Sequence, residues 1–114
     1  MSNPNVAKAI AWSKDDYERM SPTPQDFGAM FMAIAKMTET EPNYTAADLA
    51  RIHGPRIAIV DGDREELILP EHTRYLARTI PGARLIMLKD VSHFAPLQDP
   101  EQFNRAAIAF LDGR

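Results

Sequence analysis

The chain has 114 residues, 45% of them hydrophobic, and a formal net charge of -3 at pH 7, with a pI near 5.5. That length supports one domain burying roughly two-thirds of its unfolded surface. The charge balance excludes the clustered cationic footprint of a nucleic-acid binder, and the apolar runs are too short to span a membrane. Zero cysteines exclude disulfides, thiol catalysis and thiolate metal sites together. The N-terminus, MSNPNVAKAIAW, lacks the basic region and long apolar stretch of a signal peptide, so a cytoplasmic location is expected.

Asn5 to about Met20 reads as a first helix, with Val6, Ala9, Ile10 and Tyr17 on one side and charges elsewhere. Ser21-Pro22-Thr23-Pro24 ends it. Thr23, Pro24 and Asp26 then fit N-cap, N1 and N3 of a second helix. Its Phe27, Met30, Phe31, Ile34 and Met37 recur at helical spacing, a stripe expected to be core, with a ligand pocket or partner grip as the alternative. Thr45 and Asp48 cap a short helical turn near Ile52, and His53-Gly54-Pro55 leads onward as a loop.

The rest of the chain is organised around Arg56 to Leu111. Ile57-Ala58-Ile59-Val60 is apolar, β-branched and too short for a helix, so it predicts a buried strand. An acidic loop, Asp61 to Glu66, follows. Pro70 opens a helix at N1 with Tyr75, Leu76 and Ile80 inward and His72 toward solvent, and Ile80-Pro81-Gly82 closes it. Leu85-Ile86-Met87-Leu88 is the second strand, followed by a loop carrying His93. Asp99, Pro100 and Gln102 start a last helix whose inward face is Phe103, Ala106, Ala107, Phe110 and Leu111. The order predicts a parallel β-α-β-α unit with a right-handed crossover. Chemistry in such units gathers beyond the carboxyl ends of the strands, where the acidic loop and His93 both lie. The expected organisation is one domain, residues 1–114, with a helical part (1–53) and the β-α-β-α part (54–114).

A carboxylate beside a histidine fixes the tautomer and orientation of the imidazole and stabilises the imidazolium. Glu65 with His93 is one such pair, and the residues alone leave it level with the reading of a solvated acidic turn and a packed histidine. Asp61, at the strand end, and Asp63, in a tight Asp-Gly-Asp turn, compete for the acid role. The acidic run lacks the alternating ligands of a calcium loop, and no two histidines share a ligand spacing. No metal and no cofactor is expected.

The pattern Gly62-x-x-Glu65, Pro70, Ile80-Pro81-Gly82-Ala83, Ser92-His93, Asp99-Pro100-Glu101 and Phe110-Leu111 resembles the C-terminal segment of an α/β-hydrolase. The preceding region resembles that family's helical cap. The resemblance implies a partial α/β-hydrolase fold, with Glu65 where the family usually has the triad Asp and His93 on the triad histidine. Ser92 stands where glycine is commoner. The implied parent activity is hydrolysis of an ester or similar bond. The nucleophile elbow Gly-x-Ser-x-Gly is nevertheless absent, because Ser2, Ser13, Ser21 and Ser92 are the only serines and none has the flanking glycines. The chain is therefore expected to be a fragment or subunit, inactive alone, with a small ester-like molecule as the implied substrate. The alternatives are a non-catalytic binding or assembly module, and an enzyme whose His93 acts on water or with a partner chain's nucleophile. Two strands are too few for an independent sheet, and Ile57 to Val60 carries no proline or lysine to blunt edge pairing. A homodimer through that strand, or a complementary chain, is expected.

Overall fold

A computed structural model describes residues 4–113; Ser2, one of the four serines weighed above, lies outside them. The chain divides into two compact units, Met1–Asn43 and Tyr44–Arg114. The division falls ten residues before the sequence-based border at 53/54.

The first unit contains α1 (Pro4–Met20) and α2 (Phe27–Thr38). On α1, Lys14 pairs with Glu18 and Arg19 with Asp16 at helical spacing. Tyr17 meets Phe27 edge-on, ring centroids 5.8 Å apart, and Phe31 follows at 5.9 Å from Phe27. The apolar stripe of α2 is core only at its start. Phe27 is buried and Met30 half-buried, but Phe31, Ile34 and Met37 are 40%, 47% and 51% exposed. Two helices meet along one narrow line, which is less than the stripe presents. Thr23 also departs from expectation. Pro24–Asp26 form a separate 3-10 turn, the Thr23 hydroxyl caps nothing, and α2 begins at Phe27.

The second unit opens with α3 (Ala46–Leu49), held by the expected reciprocal cap. The Asp48 N–H donates to Thr45 Oγ1 (3.2 Å), and the Thr45 N–H donates to Asp48 Oδ2 (2.9 Å). Then come β1 (Ala58–Gly62), α4 (Pro70–Thr79), β2 (Arg84–Leu88), α5 (Ala95–Gln98) and α6 (Pro100–Leu111). The strands form a two-stranded parallel sheet with Ile59 opposite Leu85 and Gly62 opposite Leu88. This is a mixed α/β arrangement. β1 runs two residues further than its apolar run, because Asp61 and Gly62 pair with Met87 and Leu88.

Alternation along the strands sorts the two faces. Ile86 and Leu88 point toward α6, where Leu88, Val91 and Ala95 make the buried core with Phe103 and Ala106 against them. Asp61 points the other way, toward α4, and accepts the Thr73 hydroxyl hydrogen on Oδ2. Thr73 is only 4% exposed. α4 buries Thr73 and half-buries Tyr75 and Leu76, with Ile80 buried just after it, while His72 is exposed. It ends in a turn where Gly82 has φ +82, a left-handed conformation that glycine adopts without penalty. Asp99 caps α6 as expected, accepting the Gln102 N–H at 2.9 Å. The four-residue α5 between His93 and Asp99 is additional to the predicted elements.

Candidate acid–base site

The acidic loop and the histidine loop are joined first by their backbones. The Asp63 N–H donates to Leu88 O (2.9 Å), and the Arg64 N–H donates to Val91 O (3.0 Å). Such close approach requires glycine at 62: a Cβ there would lie 2.3 Å from the Val91 carbonyl oxygen.

Each of the four acidic side chains has a separate role. Asp61 accepts the Gly62 N–H (2.9 Å) as well as the Thr73 hydroxyl, tying β1 to α4. Asp63 accepts the Asp90 N–H at 2.8 Å, holding the turn after β2. Glu66 Oε2 accepts the His93 N–H at 3.2 Å. Glu65 alone of the four reaches the imidazole, with Oε2 3.0 Å and Oε1 3.2 Å from His93 Nδ1. Its Oε1 also accepts the Leu67 and Ile68 N–H groups at 2.6 and 3.0 Å.

These contacts set the state of the Glu65 carboxyl and the tautomer of the neutral ring. The Glu65 side chain is 4% exposed against 39% for His93. Burial raises the Glu65 pKa, but the two backbone N–H groups and then His93 outweigh it, so the carboxyl sits below its ordinary value. An ionised carboxylate only accepts. In the neutral ring Nδ1 therefore carries the hydrogen, and Nε2 keeps its lone pair. Nε2 has no hydrogen bond among the described residues. His93 borders an open cavity of about 440 Å³ whose apolar walls include Val60, Ile68, Leu76 and Phe103.

The histidine loop is also fixed from behind. Gln98 accepts the Ser92 N–H on Oε1 (2.7 Å) and donates from Nε2 to Ser92 Oγ (2.8 Å). Ser92 is 7% exposed and serves as an anchor. Gln98 and Thr73 were not singled out from the sequence, and nothing local distinguishes them; their partners are remote in the chain or depend on the loop path. Among the described residues no group of three His, Asp or Glu side chains converges to hold a metal, and no helix is long and apolar enough to cross a membrane.

No family model and no solved structure matches the chain. It is similar to a protein of Pseudomonas syringae pv. syringae (strain B728a) named "putative carbamate hydrolase RutD", 37% identical over 67 residues. The match covers 58% of this chain and 25% of that protein. A protein of the same name from Pseudomonas savastanoi pv. phaseolicola (strain 1448A / Race 6) is 33% identical over 69 residues, 60% of this chain and 26% of the relative. The chain spans about a quarter of the length of the curated relatives it matches, and the likeness supports a hydrolase-family relationship.

Proposed function

We propose that the chain is the acid–base part of a hydrolase acting on esters, carbamates or similar acyl compounds, with Glu65 orienting the general base His93. The observation that carries this reading is the Glu65 carboxylate on Nδ1, 3.0 Å away, with Nε2 unbonded among the described residues. The chain has no Gly-x-Ser-x-Gly, so the nucleophile belongs to a complementary polypeptide segment. Nε2 takes the nucleophile's hydroxyl proton as its oxygen attacks the substrate carbonyl carbon. The imidazolium, stabilised by Glu65, then gives that proton to the departing alcohol or amine as the acyl bond breaks. Water repeats the sequence on the acyl intermediate, releasing the acid and restoring the nucleophile. The similarity to proteins named carbamate hydrolases supports the choice of substrate class. The test is complementation. The chain is co-expressed with the part of the Pseudomonas syringae relative outside the matched stretch, and p-nitrophenyl acetate hydrolysis is measured. Activity in the complex that His93→Ala abolishes is the expected result. A stable complex without activity, or one indifferent to His93→Ala, overturns the proposal.

A second reading, a non-catalytic assembly module, rests on a different observation. Among the described residues β1 pairs with β2 alone, and Val60 on it is 42% exposed. An unpaired apolar edge invites another strand, and a second copy meeting it across a two-fold axis would make a four-stranded sheet. Sedimentation equilibrium at micromolar concentration tests this; a monomer whose β1 amides exchange slowly rules it out.

A further inference from the structure

The Glu65 contact accounts for the ring of His93 but not for the position of its main chain. The adjacent residue supplies that. Glu66 Oε2 accepts the His93 N–H at 3.2 Å, across 27 positions of sequence. Glu66 Oε1 is buried with no hydrogen-bond partner among the described residues. A buried carboxylate oxygen left unpaired costs free energy. A surface glutamate would turn outward to avoid that cost, so the fold holds Glu66 inward against it.

We infer that Glu66 is a positioning residue: its carboxylate fixes the backbone of His93 so that the imidazole stays on Glu65. This deepens the acid–base reading and rests on it. The loop geometry explains why two consecutive acids can divide the work. Glu65 turns back on its own chain, its N–H donating to Gly62 O at 3.3 Å and its Oε1 accepting from Leu67 and Ile68. Its side chain is thereby committed to the ring, and Glu66 comes to face the main chain of the opposite loop. On the other side Gln98 takes the neighbouring Ser92 N–H at 2.7 Å. Two successive N–H groups of the histidine loop are thus each held by a side chain, one from α5 and one from the acidic loop. A bond to a charged acceptor is stronger than a neutral one. Without Glu66, the Asp63 and Arg64 donors and Gln98 hold the loop only as far as Ser92, the His93 main chain is unheld, and its exposed imidazole is free to leave Glu65.

The test needs no substrate and uses the 114-residue chain. Long-range ¹⁵N correlation spectra report the tautomer of His93, and amide exchange reports its N–H. Glu66→Leu keeps the bulk and removes the acceptor. It is expected to speed His93 amide exchange about tenfold or more and to move the ring from predominantly Nδ1–H toward the mixture of a free imidazole. The Arg64 amide, bonded to Val91 O, should keep its protection and so mark the fold as intact. Glu66→Gln retains an acceptor oxygen and is expected to restore both signals toward wild type. A Glu66→Leu chain with His93 unchanged overturns the inference, as does a Glu66→Gln chain as loose as Glu66→Leu. If Glu66→Leu fails to fold, Glu66→Ala, which removes the acceptor without adding apolar bulk, takes its place and is read against Glu66→Gln by the same two signals. Complementation without activity, with these spectral effects intact, would reject hydrolysis and leave the positioning role standing.

Discussion

Gln102 bonds both backbone groups of Lys89: Oε1 accepts the Lys89 N–H at 2.7 Å, and Nε2 donates to Lys89 O at 3.0 Å. The side chain thereby acts as one residue of an additional strand at the end of β2. Its Nε2 also donates to Asp99 Oδ2 at 3.1 Å, linking the clamp to the cap of α6. Gln102→Ala is expected to cost about 1 kcal/mol, a modest value because the site is partly exposed. Gln102→Glu should cost more, since it sets an acceptor against the Lys89 carbonyl and a charge beside Asp99. Urea denaturation of the two variants checks the order.

Stability should fall as the solution is acidified, partly through Glu65. Its carboxyl lies below the ordinary value in the folded chain, so its stabilising effect is complete above the unfolded value, about 4.3. That effect is lost as pH drops toward the folded value. Asp48, through the Thr45 hydroxyl and N–H, and Asp99, through the Gln102 N–H and side chain, are lowered too and act in the same direction. Glu65→Gln is expected to flatten the stability curve between about pH 6 and pH 3 without abolishing its slope. Thermal melts across that range would contradict the assignment if the two curves stayed parallel.

Gly62→Ala and Gly28→Ala should differ in sign. At 62 the new methyl would meet the Val91 carbonyl at 2.3 Å, whereas at 28, in α2, nothing lies within 4 Å. The first is expected to destabilise by about 1–3 kcal/mol or more. The second should stabilise by up to about 1 kcal/mol through lost unfolded-state freedom. Paired denaturation curves measure both.

No serine of the isolated chain should react with a fluorophosphonate. Ser92 is adjacent to His93, but its hydroxyl accepts from Gln98 Nε2 at 2.8 Å and is buried. Stoichiometric labelling seen by intact-mass spectrometry would identify a nucleophile that this arrangement denies.

The parts legible in the sequence are those whose causes are local. The strands are visible as short apolar runs, the first of them β-branched, and the caps at Thr45 and Asp99 as side chains bonding their own helices. Thr23 misled because its cap geometry depends on where the next helix starts, and that start lies three residues later. Asp61 and Gly62 read as loop because neither favours a strand alone; pairing with Met87 and Leu88 makes them one. Four residues of α5, one of them Pro96, show no period to detect. Which acid faces His93 depends on the path of the loop, and that path follows from Gly62 packed under Val91. Thr73 and Gln98 look ordinary until folding brings their partners to them, and Gln102, legible at the start of α6, gives no local sign of its clamp on Lys89.

The two loops are stitched through main-chain donors at Asp63 and Arg64, and this gives the stretch an uneven tolerance to change. Every residue except proline carries the donor, so replacing the Arg64 side chain leaves the stitch intact. Adding or removing one residue between Gly62 and Glu66 does not. It would shift the donors off Leu88 and Val91 and point Glu65 away from the ring, even with every acid retained. Loops usually absorb insertions and deletions readily; this one should accept new side chains at Arg64 and no change in length.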